Sequence, residues 1–313
     1  MNEPQASLIF INWNSADLVL RAVQSIVEKE DNAQDRFHII VVDNGSSNDS
    51  LAVFESELIA LFPAATVIAL ESNRGFAVAA NRGLAAIETT YAFVLNADIE
   101  FINDAATRLI NCLDSNPKAV LACPRLLRED GSEQSAAVPL PSLFFELTNR
   151  SLARRLMKIP ANQSGPVPSI VGPCMAVHMK RLPVVGMLDE RFLFFFEETD
   201  WCKRIQESEY EVYFDPTADV FHLQGQSVNQ FPLRARIQFY ESRYIYFKKH
   251  FGKRSAILLR AGLCVKVTAN VLLNIIAVIV TGFRLKSRQK LGMYWGLWKW
   301  HVRGCPQGYG FEA

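Results

Sequence analysis

The sequence has almost no net charge and no cysteine framework. Its 33 lysines and arginines balance 32 acidic residues to a net charge of +1, and no basic stripe dominates, which argues against a general nucleic-acid-binding protein. The six cysteines are scattered, with neither disulfide nor metal-ligand spacing, so a reducing cytoplasm is expected. The chain does not open with a basic segment and an apolar run, and we therefore expect no secretory signal peptide.

Two phosphate-binding loops are also missing. The first apolar run, Leu8 to Ile11, is followed by Asn12-Trp13-Asn14-Ser15 and not by Gly-x-Gly-x-x-Gly. This argues against a dinucleotide-dependent oxidoreductase. A nucleotidyltransferase is disfavoured as well, because the Gly-rich loop with a basic residue that it would carry after the first strand is absent.

Short apolar runs alternate with segments of helical periodicity over the first hundred residues. We expect strands near residues 8–11, 39–42, 66–70 and 92–95, and helices near 18–27, 50–62 and 76–87. Strands that are apolar throughout and alternate with helices predict an α/β fold. Its sheet is expected to be mostly parallel and covered by helices on both faces.

Polar side chains follow each apolar run. In an open parallel sheet, ligands bind beyond the carboxyl ends of the strands, so these residues are the first candidates for a site. They are Trp13-Asn14, Asp43-Asn44, Asn73-Arg74 and Asn96-Ala97-Asp98. The flat face of Trp13 is suited to stacking on a nucleobase, and Asp43 and Asn44 to hydrogen bonding at its edge.

Asp98 presents a carboxylate at the same sheet edge, with Glu100 two positions further on. A hard cation bound there would bridge the carboxylate to phosphate oxygens. The alternative is that Asp98 only caps a turn or a helix, as an Asp after a strand commonly does.

An acidic string near the middle of the chain reads Phe194-Phe195-Phe196-Glu197-Glu198-Thr199-Asp200-Trp201. Carboxylates at the edge of an apolar wall are desolvated and repel one another, which raises a carboxyl pKa towards that of a general base. The alternative is a buried strand that runs into an acidic helix N-terminus, where carboxylates complement the helix dipole.

These motifs occur in an order that resembles the family 2 inverting glycosyltransferases, and in particular the branch of bacterial rhamnosyltransferases that assemble polysaccharides and O-antigen. The resemblance covers roughly residues 7 to 230. The segments that carry it are Trp13-Asn14, Val41-Val42-Asp43-Asn44-Gly45-Ser46, Asn73-Arg74-Gly75-Phe76, Asn81-Arg82-Gly83, Leu95-Asn96-Ala97-Asp98, Gly172-Pro173-Cys174-Met175, residues 186–192, the acidic string and residues 222–227. Such a run of motifs is more specific than any one of them.

The resemblance implies a GT-A fold that uses a sugar nucleotide and a divalent cation, Mn²⁺ or Mg²⁺. Trp13 would stack on the base, and Asp43 or Asn44 with Arg74 would read its edge. Asn81 and Asn96 would also lie in the donor site. The donor would be dTDP-rhamnose or a UDP-hexose, and the acceptor a glycan or a polyprenyl-linked sugar.

The resemblance also implies a metal site and a base. Asp98 would ligate the metal with His222, while Asn96 replaces the first acid of the family's Asp-x-Asp element; a hydrogen-bonded core role is the alternative for His222. The base is an Asp in the family pattern and is Glu198 here. Asp200 is the alternative base, and Arg204 is expected to pair with it.

The expected organisation is a catalytic domain over residues 1–230 and a basic, apolar, helical C-terminal segment over 231–313. The catalytic domain would divide into a nucleotide-binding half, about 1–125, and an acceptor half, about 126–230. Within the second half, residues 139–168 are rich in Pro, Ser, Asn and basic residues, and we expect a mobile excursion that contributes to acceptor specificity.

The C-terminal segment contains a run without charges, residues 267–283, between basic flanks. Three interpretations remain open: a helix lying in the membrane interface, a short transmembrane helix, or a helix packed on the main domain. The run is shorter than the ~20 residues of a usual spanning helix, and Asn270 and Asn274 weaken the spanning interpretation. Basic flanks with tryptophans at 295, 298 and 300 suit an anionic lipid surface, which predicts a cytoplasmic protein held peripherally on the inner face of the cytoplasmic membrane.

A function of another class is also consistent with the sequence. The loss of the first acid at Asn96 and the Glu at position 198 allow a non-catalytic subunit that binds a sugar nucleotide or a glycan. Asp98, Glu198, Asp200 and His222 are nevertheless present as chemistry would require.

Overall fold

The computed structural model describes residues 4–148, 163–223 and 232–311. Its first part is a parallel sheet in the order β3-β2-β1-β4. The strands are β1 Ala6–Asn12, β2 Phe37–Asp43, β3 Thr66–Ala69 and β4 Tyr91–Asn96. All seven residues of β1 are buried, as expected of a strand covered on both faces. The expected strands are therefore confirmed, within a residue or two at their ends.

Helices alternate with these strands as the periodicity predicts. They are α1 Ala16–Lys29, α2 Ala33–Arg36, α3 Ser50–Val53, α4 Ile59–Leu61 and α5 Phe76–Leu84. A π-helical turn, Phe54–Leu58, joins α3 to α4, so the helical run expected over 50–62 is present.

The second part of the chain makes the sheet mixed. Its elements are β5 Ile99–Phe101, α6 Ala105–Ser115, β6 Ala119–Leu127, β7 Glu133–Gln134, β8 Ala137–Val138, α7 Leu143–Leu147, β9 Gly165–Val167, β10 Ser169–Ile170, β11 Cys174–His178, α8 Leu182–Val185, α9 Glu197–Gln206 and β12 Glu211–His222. Strand β11 lies between β4 and β6 and is antiparallel to both, whereas β12 pairs in parallel with β6. The boundary expected near residue 125 falls within β6, and strands from both sides of it share one sheet.

The C-terminal segment consists of α10 Pro232–Val280 and α11 Leu285–Val302. Helix α10 is broken at Gly252, which has φ 80° and ψ 170°. We call residues 232–251 the inner arm and residues 253–280 the outer arm. Tyr246 and Phe247 pack in one cluster with Leu259 and Leu263, so the chain turns back on itself at Gly252.

The outer arm packs along one stripe only. Its buried side chains recur three or four residues apart, at Leu259, Leu263, Val267, Val271, Asn274 and Val278. On the other sides the apolar residues are exposed, and Leu273, Ile279 and Val280 are 62%, 62% and 78% accessible. Leu259 and Leu263 share a cluster with Phe192 and Phe196 of the main domain, and Val267 packs against the inner arm and α11. The three interpretations of residues 267–283 stay predictions.

Part of the excursion expected over residues 139–168 lies outside the described residues. The described part contains α7, whose Glu146 forms an ion pair with Arg243 of the inner arm at 3.3 Å. Lys266 of the outer arm donates to the carbonyls of Glu146 and Thr148 at 2.9 and 2.8 Å. This part of the segment is therefore anchored on the C-terminal helices.

Candidate active site

The loops after β1 and β2 are built around a buried carboxylate. Asp43 ends β2 and accepts hydrogen bonds from the Asn12 side chain at 2.7 Å and from the backbone and hydroxyl of Ser46 at 3.0 and 2.5 Å. The backbone N–H of Asn14 donates to Ser46 Oγ at 2.8 Å. These bonds fix the loop that carries Trp13, whose side chain remains 38% exposed at the carboxyl edge of the sheet. Asp43 thus supports the loop, while Trp13 is free to meet a ligand.

Asn44 holds the next loop in a similar way. Its Oδ1 accepts from the backbone N–H of Arg74 at 3.0 Å, and its Nδ2 donates to Asn73 Oδ1 and the Gly75 carbonyl at 3.0 and 3.2 Å. Asn44 is buried, whereas Arg74 is exposed. The Arg74 guanidinium is therefore placed to contact a ligand, whereas the side-chain amide of Asn44 is not.

Asn81 connects α5 to a distant segment of the chain. It donates to the Leu188 carbonyl at 2.9 Å and to Glu190 Oε1 at 3.0 Å, and it accepts from the backbone N–H of Leu188 at 3.1 Å. The side chains of Arg74 and Arg82 border a shallow groove above this contact. The amide of Asn81 braces the floor of that groove.

Asp98 and His222 lie side by side, Asp98 after the end of β4 and His222 at the end of β12. Asp98 Oδ1 lies 3.6 Å from His222 Nε2, and the Leu223 N–H donates to the Asp98 carbonyl at 2.9 Å. The antiparallel pairing of β5 with β12 brings them together, because Ile99 lies opposite His222. Glu100 is directed elsewhere and pairs with Arg21 of α1 at 2.5 Å.

Gln134 fixes the orientation of the His222 ring. Its Nε2 donates to the His222 carbonyl at 2.7 Å, which leaves its Oε1 to accept from Nδ1–H at 2.9 Å. The lone pair of Nε2 then faces Asp98. Burial lowers the pKa of His222, against the opposing charge of Asp98, and this favours the neutral ring.

The acidic string forms the first turn of α9, immediately after two residues in a rare backbone conformation. Phe195 and Phe196 have φ of 67° and 71°, a left-handed region that large side chains seldom adopt. Glu197 is buried, and Glu198 is partly buried. Burial raises the pKa of both carboxyl groups, and for Glu197 the charge of Glu198 adds to the effect. Within the described residues, Glu197 Oε2 has no hydrogen-bond partner.

Glu198 lies on the same edge of the sheet as Asn96 and Asp98. The Asn96 N–H, at the end of β4, donates to the Pro173 carbonyl at 2.9 Å. The adjacent Gly172 packs directly against Glu198, since a Cβ at Gly172 would lie 3.4 Å from the Glu198 Cβ. The segment before β11 therefore connects the Asp98 side of the site to the acidic helix.

Asp200 is in a different electrostatic environment from its neighbours. It is fully buried, and it pairs with Arg204 at 2.9 Å, as the sequence predicted, and with Lys249 and His250 of the inner arm at 2.6 and 2.8 Å. Burial alone would raise the pKa of Asp200, but the bonds from His250 and Lys249 and the charge of Arg204 outweigh it and lower the pKa. Its carboxylate is committed to two cations and an imidazole.

Comparison with known proteins places this chain in a family. The family model "Glycosyl transferase family 2" matches residues 7–180, which is more than half of the chain. The chain belongs to glycosyl transferase family 2. No curated protein matches the sequence.

Two solved structures share the fold of this family 2 glycosyltransferase. One is GalNAc-T7 with UDP, GalNAc and Mn²⁺, with a TM-score of 0.56 and 16% identity over 78% of this chain and 50% of that one. The other is the mannosyltransferase PcManGT from Pyrobaculum calidifontis in complex with GDP-Man and Mn²⁺, with a TM-score of 0.55 and 14% identity over 97% of this chain and 88% of that one. The chain spans half the length of the first. The shared fold is the GT-A type, as the sequence indicated.

The donor atoms at Asp98 and His222 fit a divalent cation. A neutral imidazole whose second nitrogen is held by a hydrogen bond is the usual arrangement of a ligating histidine, and here Gln134 supplies that bond. Among the described residues, no group of three or more His, Cys, Asp and Glu side chains is placed to hold a metal. A cation at this point would therefore take its remaining ligands from phosphate oxygens and water.

Three residues in contact with site residues were not predicted from the sequence. Gln134 lies in a two-residue strand and gives no local signal, and Lys249 and His250 belong to a basic stretch that reads as a solvated helix face. All three act on partners more than 45 positions away in the chain. Only the folded structure brings them to the site.

Proposed function

We propose that this protein is a metal-dependent inverting glycosyltransferase that transfers a sugar from a nucleotide diphosphate sugar to a glycan or a lipid-linked acceptor. The observation that carries the proposal is the placement of two sets of groups on one sheet edge. The first set is Asp98 and His222, whose donor atoms lie 3.6 Å apart. It is linked through Asn96, Pro173 and Gly172 to the second, Glu198, a carboxylate whose pKa is raised. A sugar nucleotide laid across this edge would have its diphosphate at the first set and its anomeric carbon near the second.

Trp13 and Arg74 are the groups proposed to touch the nucleotide. Trp13 offers an exposed ring for stacking and Arg74 an exposed guanidinium. Asp43, Asn44 and Asn81 are proposed to act in the donor site chiefly by holding these loops, because their polar atoms are engaged with the protein.

Asp98 and His222 are proposed to hold Mn²⁺ or Mg²⁺. The cation would neutralise charge that develops on the departing diphosphate. The protein's own task is to keep the two ligands 3.6 Å apart and correctly turned, which the backbone bond from Leu223 and the Gln134 contact support. Asn96 would lie beside the donor without ligating the metal through a charge.

Glu198 is proposed as the catalytic base. As the acceptor oxygen attacks the anomeric carbon from the face opposite the diphosphate, its proton passes to Glu198; the new C–O bond forms while the bond to the phosphate oxygen breaks. Burial raises the pKa of Glu198, which makes its carboxylate a stronger base. Asp200, the alternative base, is less suited because its carboxylate is occupied by Arg204, Lys249 and His250 and its pKa is lowered.

The donor is proposed to be dTDP-rhamnose or a UDP-hexose, and the pathway to be bacterial surface-polysaccharide assembly, on the strength of the motif order. The acceptor is proposed to be a glycan or a polyprenyl-linked sugar at the inner face of the cytoplasmic membrane. The support for a membrane is the outer arm, which has an 18-residue window with a mean hydropathy of 2.2 that is only 28% buried.

The hairpin formed by the outer arm and α11 favours lying in the interface over spanning. The uncharged run of residues 267–283 would reach about 25 Å at 1.5 Å per residue, short of a hydrocarbon core of ~30 Å. Asn270 and Asn274 do not decide between the two, because each donates to the carbonyl four residues earlier, at 2.9 and 2.7 Å. Our preference for the interface rests on α11, which packs on the outer arm and has Lys286, Arg288 and Lys290 exposed. A spanning hairpin would have to carry these charges across the bilayer, which is costly.

The non-catalytic subunit remains the second candidate, since Asn96 and Glu198 depart from the usual acids. It predicts donor binding without turnover. The raised pKa of Glu198 favours the enzyme, because a subunit that only binds has no use for a desolvated carboxylate at the site.

The test is a panel of nucleotide sugars, with and without Mn²⁺ or Mg²⁺, scored by thermal stabilisation and by slow hydrolysis of the donor. One donor should stabilise the wild type in a metal-dependent way. Glu198→Gln should keep that stabilisation and lose hydrolysis by roughly 10²- to 10⁴-fold, whereas Asp98→Ala should lose the metal dependence. Glu129→Gln, on an exposed residue, is the matched control.

Unchanged hydrolysis in Glu198→Gln would remove Glu198 as the base. Donor binding without hydrolysis in the wild type would favour the binding subunit.

A further inference from the structure

The inner arm of the C-terminal segment forms ion pairs and hydrogen bonds with the acidic helix α9 and with the segment before it. Lys249 Nζ lies 2.6 Å from Asp200 Oδ1 and 2.7 Å from Asp189 Oδ2. His250 Nε2 lies 2.8 Å from the same Asp200 oxygen. One ammonium group therefore joins two carboxylates that are eleven positions apart in the chain.

The segment between these two carboxylates contains the site's strained backbone. Asp189 begins the segment, Phe195 and Phe196 have φ of 67° and 71°, and Glu198 lies two residues after Phe196. A left-handed conformation at two consecutive aromatic residues persists only when the surroundings impose it. Lys249 closes the segment at both ends, so it is placed to impose that conformation.

Aromatic contacts complete the support. The rings of Phe195 and Phe196 pack on Phe239 of the inner arm at centroid distances of 5.4 and 5.3 Å, and Phe196 also meets Tyr246 at 5.5 Å. Ser242 Oγ donates to the Phe194 carbonyl at 2.7 Å. Every turn of the inner arm from Phe239 to His250 thus touches the segment that presents Glu198.

We propose that Lys249 is a positioning residue for Glu198: by bridging Asp189 and Asp200 it fixes the backbone of residues 189–200 and with it the direction of the Glu198 carboxylate. The role as positioner of a base rests on the proposed function, whereas the clamp on the segment does not. A lysine suits the task because a single nitrogen donates up to three hydrogen bonds and can serve two carboxylates at once. An arginine could reach both with its fork, but a methionine of similar length could reach neither.

The test compares Lys249→Met with Lys249→Arg and with the matched control Lys248→Met, whose side chain lies next to Lys249 on the same helix and is exposed. Two readouts are taken on the full chain: hydrogen exchange of peptides within residues 189–206 by mass spectrometry, and kcat and KM for donor hydrolysis with the donor found in the panel.

We expect Lys249→Met to speed exchange of residues 189–206 at least tenfold, with peptides of β1 and β2 unchanged. Its kcat should fall at least tenfold while the donor KM stays within twofold, because the nucleotide loops are untouched. Lys249→Arg should recover most of the kcat, and Lys248→Met should match the wild type in both readouts. Should Lys249→Met fail to fold, Lys249→Gln keeps a neutral donor and carries the same expectations.

The proposal would be overturned if Lys249→Met exchanged hydrogen and hydrolysed the donor at the wild-type rates. It would also be overturned if the donor KM rose by the same factor by which kcat fell. If the wild type hydrolyses no donor, the proposed function fails; faster exchange confined to residues 189–206 would then still support the clamp, and its absence would refute it.

Discussion

At the scale of the residue, Glu197 and Glu198 stand side by side at the start of α9, one buried and the other partly buried. Burial raises the pKa of both. Their neighbour Asp200 has a lowered pKa, because it accepts hydrogen bonds from His250 and Lys249 and lies beside the charge of Arg204. Glu197 and Glu198 therefore favour the protonated form more than an ordinary carboxyl group does, whereas Asp200 favours the ionised form. The pattern separates a candidate base, Glu198, from a carboxylate that holds the helix in place, Asp200.

The buried carboxyl of Glu197 should lower the stability of the fold at neutral pH. Its folded pKa lies above the ordinary value of 4.5, so the wild type loses stability as the pH rises from about 4.5 through the folded pKa, whereas a glutamine does not titrate. Glu197→Gln should therefore be more stable than the wild type at pH 7, by about 1.4 kcal/mol for each pH unit by which the folded pKa exceeds the ordinary value. Below pH 4.5 the two should converge. Thermal unfolding from pH 4 to 8 measures this.

Glu129→Gln, on an exposed loop, serves as the control and should show no such pH dependence. A Glu197→Gln variant that unfolds at or below the wild-type temperature at pH 7 would mean that the carboxylate is stabilised in the fold.

At the scale of the element, the loops beyond the strands brace one another before any ligand arrives. Asn44 holds the loop of residues 73–75, and Asn81 holds the segment that leads to the acidic helix. Gly75 brings these two systems into contact: it has φ 87°, and a Cβ there would overlap the Leu193 carbonyl oxygen. The Phe76 N–H donates to that same carbonyl at 3.0 Å.

Gly75→Ala should therefore break a contact between the donor loops and the acidic segment. The matched control is Gly131→Ala, since Gly131 also has a positive φ, 78°, but opens onto free space. The control carries only the backbone cost of about 1–2 kcal/mol. Gly75→Ala should lose a further 1–3 kcal/mol, roughly the cost of overpacking, and should weaken donor binding. Denaturant unfolding and donor titration measure both effects; equal losses in the two variants would show that the close approach is unimportant.

The sequence predicted the strands and helices far better than the separate roles of the polar residues at the carboxyl edge of the sheet. Strands β1 to β4 are local apolar runs, and the helices between them are local periodicities, so both are visible without partners. Asp43, Asn44 and Asp98 were all selected by the same rule, because they follow strands. In the folded structure Asp43 and Asn44 hydrogen-bond within the loops, whereas Asp98 faces His222. The sequence does not show this difference, because it depends on partners far along the chain.

At the scale of the whole molecule, the inner arm connects the domain of the mixed sheet to the helical hairpin. The inner arm contacts the acidic segment on one side and the outer arm on the other. The chain reverses at Gly252, and this reversal creates the arrangement. The sequence did not predict the reversal, because the residues around Gly252 are helix formers with basic side chains. A hairpin held at a membrane would thus keep the site at a fixed distance from the lipid surface.

The hairpin should bind anionic membranes through charge and apolar contact together. Its tip exposes Lys286, Arg288 and Lys290 beside the apolar side chains of Val280 and Phe283, which are 78% and 64% accessible. Each basic group near an anionic surface contributes about 1 kcal/mol, so replacing all three by glutamine should weaken binding to phosphatidylglycerol vesicles about 100-fold at low salt. Raising the salt concentration should shrink the difference, because the surface charges are then screened.

The matched control replaces three exposed lysines outside the hairpin, Lys29, Lys118 and Lys180, by glutamine and so changes the net charge equally. Co-sedimentation with vesicles should then stay near the wild-type value. Val280→Glu tests the apolar half and should weaken binding to anionic and zwitterionic vesicles alike. Equal losses of binding in the two triple variants would show that the interaction depends only on net charge. Retention of the wild type on membranes at high salt and alkaline pH would show that the outer arm spans the bilayer.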